Sequence, residues 1–373
     1  MSLQGWTLSN NIIFFLLLLV STTFVYCDFQ PRELHLAFTN NPNELVVSFH
    51  TSNYSEQLLG KPLITFSTSE NLANYETASI GSVVTSYGDS SKTGFDFHVL
   101  LTNLKFATKY YYKCGFEKAE FLSETFFFYT RTDPMSDESK ETTIVIYGDQ
   151  GTTNSKYVIA QTQGFVSNFL QKSKNKNLFI YHLGDIGYAD DFAGAMYQPI
   201  WTKYMQMMNR IMPYVPYMVC VGNHENGPQN KPYDEFEAGF QAYNHRFFMP
   251  SRNDSSIGHN MWYTFKQGLI TFIATDTETN FPQSFFPQYD NLFSGNKNQL
   301  IWLEETLKNV DRKETPFLII VGHRPIYSSD YAFSDIPGNI IGESLRLQAA
   351  FEDLLYKYHV DIAFYGHVHS YGK

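Results

Sequence analysis

Five short clusters of residues able to bind metal ions punctuate the chain: Gly148-Asp149-Gln150-Gly151, Gly184-Asp185-Ile186-Gly187-Tyr188, Gly222-Asn223-His224-Glu225, Gly322-His323 and Gly366-His367-Val368-His369. Between them they offer Asp149, Asp185, Tyr188, Asn223, His323, His367 and His369. Carboxylate, phenol, amide and imidazole donors in that number suit a two-metal site, where cations hold a substrate oxygen and acidify water. Each cluster taken alone has a plainer reading. A Gly-Asp pair is usually a turn, Tyr188 reads as packing, Asn223-His224 as turn chemistry, and His367-Val368-His369 as two loop histidines. Five in series, each behind its own apolar run, are not explained by turns.

The elements that must position these residues are legible as apolar runs. Thr143–Tyr147, Leu178–Tyr181, Tyr217–Val221, Phe317–Val321 and Asp361–Tyr365 read as strands, one ahead of each cluster. Ser155–Lys172, Asn298–Val310 and Leu345–Tyr358 read as helices, the first with Ile159, Val166, Phe169 and Leu170 on one face. Strands alternating with helices predict an α/β domain, here over 141–373. In such sheets ligands gather beyond the strands' carboxyl ends, where the strand fixes the backbone and the loop presents the side chain.

Before this domain the pattern differs. From residue 28 to Asp133, short alternating runs such as Leu45–His50, Leu63–Phe66, Phe95–Val99, Tyr110–Cys114 and Phe126–Tyr129 predict a β-sandwich. Leu101–Tyr110 looks like the tyrosine-corner approach of fibronectin type III modules. This domain reads as structural, and Asp133–Glu141 as a linker. His35, His50, His98, His182, His245, His259 and His359 lack ligand-like spacing and read as core or surface histidines. The aromatic segment Phe281–Phe293 reads equally well as a pocket rim or as a packed loop.

With 373 residues and a net charge of −10, the chain has no basic excess to attract nucleic acid or an anionic membrane. Ile12–Val20 is apolar but too short to span a bilayer, and reads as the core of a signal peptide over 1–27, cleaved after Cys27. That and the sequons Asn53-Tyr54-Ser55 and Asn253-Asp254-Ser255 predict a secreted or lysosomal glycoprotein. Cys114 and Cys220 then remain, and they read as separate buried thiols rather than a disulfide.

The order of clusters resembles the metallophosphoesterase (calcineurin-like phosphoesterase) superfamily and, within it, the purple acid phosphatases. The wider superfamily opens with Asp-x-His; here Asp149 is followed by Gln150-Gly151, and Tyr188 stands in the second cluster, which is the purple acid phosphatase pattern. The resemblance implies a fibronectin III-like sandwich over 28–133 followed by an αββα catalytic sandwich. It implies that Asp149, Tyr188 and His369 bind one metal, that Asn223, His323 and His367 bind the other, and that Asp185 bridges both. Two carboxylates and a phenolate suit Fe(III); the amide and two imidazoles suit a divalent Zn, Fe or Mn. It further implies an acid phosphatase in which metal-bound hydroxide attacks phosphate monoesters, with His224 contacting phosphate or protonating the leaving group. Nucleotide phosphodiester or pyrophosphate hydrolysis is the alternative chemistry.

Two departures qualify the resemblance. Plant members carry a further histidine shortly after the position of His323, but Pro325–Asp330 contains none, leaving Asp330 or His224 to reach phosphate. The chain also stops at Lys373, where Gly372 replaces the glutamate of the family's last motif. This reads as a C-terminally truncated chain, with an uncovered sheet edge and loosened His367 and His369, and raises the alternative of an isoform without catalysis.

Overall fold

The computed structural model describes residues 29–79, 82–118, 122–153, 155–229, 235–250, 259–293, 298–328 and 340–369. The signal segment 1–27, the sequon at Asn253, Asp330 and the last residues 370–373 lie outside them.

The first domain is built from strands whose alternating residues face one another across two sheets. One sheet runs β1 (Arg32–Phe38), β2 (Leu45–Thr51), β6 (Phe95–Leu101), β5 (Val83–Thr85); the other runs β4 (Glu76–Ala78), β3 (Pro62–Ser67), β7 (Lys109–Phe116), β8 (Phe126–Tyr129). All pairings are antiparallel. Phe49 stacks on Phe97 at 4.7 Å and meets Phe116 of the opposite sheet at 5.7 Å, so aromatic rings close the sandwich. The predicted tyrosine corner is present: Tyr110 Oη accepts the Lys105 N–H at 3.1 Å. Polar pairs lie inside, His50 with Asp96 at 2.9 Å and His98 with Ser48 at 2.8 Å.

The second domain holds two further sheets. β9 (Thr143–Tyr147), β10 (Leu178–Leu183) and β11 (Tyr217–Cys220) are parallel, in the order β11-β10-β9. The other sheet runs β12 (Tyr263–Gln267), β13 (Ile270–Ala274), β14 (Phe317–Val321), β15 (Ile362–Phe364), with an antiparallel hairpin at one end and parallel pairs thereafter. Phe179 of β10 packs edge-on to Phe272 of β13 at 5.4 Å, and Tyr181 Oη donates to Tyr263 Oη at 2.7 Å, so the sheets face each other over a buried aromatic core. The helices are α1 (Lys156–Lys172), α2 (Tyr197–Met208), α3 (Gln241–Arg246), α4 (Gln299–Lys308), α5 (Ile340–Leu347) and α6 (Asp353–Lys357). A π turn, Gln348–Glu352, joins the last two, interrupting what the pattern predicts as one helix. Phe281 is buried and packs on Phe351 at 5.5 Å, and Phe285, Phe286, Tyr289 and Phe293 are partly buried against the core, as in a packed loop. Cys114 and Cys220 are separate buried thiols.

The sandwich is tied to the second domain by buried polar contacts. Glu33 of β1 pairs with Arg246 of α3 at 3.0 Å, both side chains fully enclosed, and Tyr87 donates to Gln198 of α2 at 2.7 Å. Among the described residues no helix is long and apolar enough to cross a membrane.

Candidate metal centre

Every cluster begins within two residues of a strand end: β9 stops at Tyr147, β10 at Leu183, β11 at Cys220, β14 at Val321 and β15 at Phe364. Parallel strands from both sheets aim these loops at one place. The turns are tight enough to force an unusual backbone. Asp149, Asp185, Tyr188 and His367 adopt left-handed φ angles of 57°, 53°, 52° and 69°, a conformation that non-glycine residues adopt at a cost and that gathers at functional sites. Glycine makes the crowding possible. A Cβ on Gly366 would lie 2.6 Å from Asp149 Oδ2, and one on Gly184, itself at φ 77°, would lie 2.7 Å from His323 Nδ1.

All seven predicted ligands meet. Tyr188 Oη lies 2.8 Å from His369 Nε2, 3.4 Å from Asp149 Oδ1 and 3.3 Å from Asp185 Oδ2. His369 Nε2 lies 3.4 Å from Asp149 Oδ1. His323 Nε2 lies 3.1 Å from the same Oδ2 of Asp185 and 3.2 Å from Asn223 Oδ1. One ligating atom each from Asp185, His323 and His367 falls within a sphere of mutual distances under 4.8 Å. Oδ2 of Asp185 is thus shared by Tyr188, which also meets Asp149 and His369, and by His323, which also meets Asn223 and lies in one cluster with His367.

This donor set fits two cations. The Tyr188 phenol lies within hydrogen-bond range of both the Asp149 and Asp185 carboxylates, an arrangement that repels itself once ionised unless positive charge lies between them. Burial, with Asp185 adding to it, pushes the Asp149 carboxyl above its usual range despite the pull of His323. Burial opposes charge on His323, yet Asp185 and Asp149 overcome it and hold the imidazolium up to about 10. The carboxylates thus favour a positive charge here. His323 Nδ1 is occupied by the Leu183 carbonyl at 2.7 Å, which leaves Nε2 toward Asp185 and Asn223.

The predicted catalytic residue His224 lies at the rim, its ring 4.1 Å from that of Tyr188. Asp190 takes its Nδ1 at 2.9 Å, while Nε2 stands 3.9 Å from Asp185 Oδ2. Burial works against a charged His224, but the Asp190 hydrogen bond and the Asp185 charge outweigh it and raise its pKa to about 9. His182 lies behind the site, buried against Tyr217 Oη at 2.7 Å and close enough to feel the charge of Asp185.

Three supports were not legible as such. Glu225, fully buried, accepts the backbone N–H groups of Asp185, Ile186 and Gly222 at 2.8, 2.8 and 2.9 Å, clamping the second cluster to the third. Arg324 binds Glu278 through Nε at 2.9 Å and Glu343 through Nη1 at 2.7 Å. Glu343 in turn lies 3.1 Å from His367 Nε2. Glu225 could have been noticed from its place inside a cluster. Glu278 and Glu343 carry no local signal.

The calcineurin-like phosphoesterase family model matches residues 142–371, and the model of the purple acid phosphatase N-terminal domain matches 31–130. The chain belongs to the calcineurin-like phosphoesterase family, in the branch that carries the purple acid phosphatase N-terminal domain. It is similar to the phosphoenolpyruvate phosphatase of Allium cepa, 29% identical over 93% of this chain and 63% of that protein. It is also similar to the probable inactive purple acid phosphatase 9 of Arabidopsis thaliana, 26% identical over 92% of this chain and 54% of that one. The chain thus spans about six-tenths of the length of the curated relatives it matches. Among solved structures, purple acid phosphatase PPD1 from yellow lupin (Lupinus luteus) seeds superposes with a TM-score of 0.66 at 22% identity, covering 91% of this chain and 58% of that one, and agrees in fold.

Proposed function

We propose that this protein is an acid phosphatase that hydrolyses phosphate monoesters at a binuclear Fe(III)–M(II) centre, with Zn, Fe or Mn as the divalent ion. The observation that supports the reading is that Tyr188 and His323, which belong to donor groups of unlike charge, both reach Oδ2 of Asp185. Asp149, Tyr188 and His369 with Asp185 form a hard, anionic set suited to Fe(III), whereas Asn223, His323 and His367 with Asp185 suit a divalent ion. Two such ions, when bound, acidify water and neutralise the phosphate oxygens. The chain's own part is to aim them: left-handed turns and the Glu225 clamp hold the ligands, and the Asp190–His224 pair keeps a proton at the rim. With Asp190 on Nδ1, Nε2 of His224 is the end free to donate to a phosphate oxygen or a departing alkoxide.

Secretion or a lysosomal address accords with this chemistry and with the sequon at Asn53, which lies exposed on the sandwich. The negative net charge supports a small phosphate ester rather than nucleic acid as substrate.

The test is hydrolysis of an aryl phosphate monoester against a diester at pH 5 and pH 7. Preference for the monoester supports the reading; preference for the diester points to a phosphodiesterase of the same family. His224→Ala should lower kcat about 100-fold or more on alkyl phosphates, and less on aryl phosphates, whose leaving groups need no proton.

A further inference from the structure

We propose that Glu343 is a positioning residue for the divalent-metal site: by accepting the Nε2–H of His367 it fixes that imidazole's tautomer and leaves Nδ1 as the ligating nitrogen. The inference rests on the two-metal reading above and deepens it.

The main chain of His367 is already held. Its N–H donates to both oxygens of Asp149, at 3.0 and 2.9 Å, and its φ is 69°. What the backbone does not decide is which ring nitrogen carries the proton. Nε2 lies 3.1 Å from Glu343 Oε2 and 3.0 Å from Arg324 Nη1, and Nη1 lies 2.7 Å from the same Oε2. A guanidinium only donates and a carboxylate only accepts. If Nε2 lacked its proton, its lone pair would face a carboxylate oxygen at contact distance. With the proton in place, Oε2 accepts from both Nε2 and Nη1, and Nη1, which could otherwise donate to the ring at 3.0 Å, gives its hydrogen to the carboxylate at 2.7 Å.

A neutral imidazole carries one N–H, so Nδ1 then keeps a free lone pair, and it makes no hydrogen bond among the described residues. His323, whose ring lies 5.1 Å from that of His367, is held in the opposite sense: its Nδ1 faces the Leu183 carbonyl and Nε2 is left to ligate. Two histidines offered to one ion are thus set in opposite tautomers, one by a backbone carbonyl and one by Glu343. Ligating histidines generally have their second nitrogen fixed in this way.

Glu343 is itself well fixed. It projects from α5 onto Arg324, whose Nε is bound by both oxygens of Glu278 and whose guanidinium lies 4.3 Å from the Phe285 ring centroid. The side chains of Glu343 and His367 are each 17% exposed, and that of Arg324 7%, so the triangle works at low dielectric, where hydrogen bonds are stronger. The competing account is purely structural: Glu343 pairs with Arg324 to dock α5, and His367 is incidental.

The deciding experiment uses the full chain. Zinc affinity of the iron-loaded protein is measured by competition with a chromophoric chelator, alongside the visible absorption of the iron site, for wild type, Glu343→Ala and Glu343→Gln. Glu343→Ala should weaken zinc about 10- to 100-fold while the visible band stays in place. Glu343→Gln, whose amide oxygen still accepts the imidazole N–H, should recover most of that loss. Should the alanine variant fail to fold, Glu343→Leu, closer in volume, carries the same expectation. Unchanged zinc affinity in the alanine or leucine variant overturns the proposal. So does joint loss of zinc and the visible band, the mark of a displaced helix. A wild-type chain that takes up no second ion overturns the two-metal reading itself and is thereby told apart from a failure of Glu343 alone.

Discussion

Glu225 holds Asp185 by its backbone: Oε2 of Glu225 accepts the Asp185 N–H at 2.8 Å, while the Asp185 side chain is left to face the donors on either flank. The same oxygen accepts the Gly222 N–H at 2.9 Å, and Oε1 takes the Ile186 N–H at 2.8 Å. One carboxylate thus fastens the loop after β10 to the loop after β11. Glu225→Gln would turn an amide NH₂ toward N–H donors and leave a buried group unpaired. We expect it to destabilise the metal-free protein by about 2–3 kcal/mol in urea titration, and to weaken both metal sites together. Wild-type stability in this variant would show that the clamp is dispensable.

Tyr188 is the residue that separates the two flanks chemically, since it is the one phenol among the seven donors and meets Asp149, Asp185 and His369 at 3.4, 3.3 and 2.8 Å. Tyr188→Phe removes the phenolate without changing the ring. The iron-loaded variant should lose the visible tyrosinate band while zinc uptake by the Asn223–His323–His367 flank persists. A band that survives would assign the colour to another group.

Protons act on stability away from the metal site, and in opposite directions. His35 of β1 is buried against Phe247, with its Nδ1 3.4 Å from the Glu33 carbonyl. Burial pushes its pKa down to about 4, against the opposing pull of the Glu33 carbonyl and Asp96. The unfolded chain, with an ordinary imidazole near ~6.5, therefore binds the proton first. Stability from His35 is complete above about pH 6.5 and is lost as pH falls toward 4, by up to about 3 kcal/mol. Asp276, raised to about 7 by burial, does the reverse: its contribution is present in acid and lost as pH rises through 7. His35→Gln should shrink the stability difference between pH 7 and pH 4.5 by about 2 kcal/mol, read from denaturant midpoints at both pH values. An unchanged difference would clear His35 of this role.

Much of this was legible in the sequence because the information is local. A strand of apolar residues followed at once by Gly-Asp, Gly-Asn-His or Gly-His is a complete signal within ten residues, and all five strand ends lie within two residues of where the pattern puts them. The tyrosine corner is equally local, Tyr110 reaching back only to Lys105. The supports were hidden because their partners are remote in sequence. Arg324 joins Glu278, Glu343 and His367, residues on three other elements, and no spacing announces that meeting. The helix α2 was not read from the sequence, although Tyr197, Ile200, Trp201, Tyr204, Met205 and Met208 recur at helical spacing and are all buried. The short strands β4 and β5, three residues each, exist through pairing with β3 and β6 and carry no pattern of their own.

The central claim is that Asp185 joins two metal sites, and metal content read together with the absorption spectrum and aryl phosphate hydrolysis tests it most directly. Wild-type protein loaded with ferric iron and zinc should hold two ions per chain, show the visible band and hydrolyse the ester at pH 5. Asp185→Asn, which removes the shared charge, should lose activity on the order of a thousandfold and fail to retain both ions. A folded wild-type preparation that stays colourless with iron present, or an Asp185→Asn variant that keeps both metals and full activity, would contradict the account.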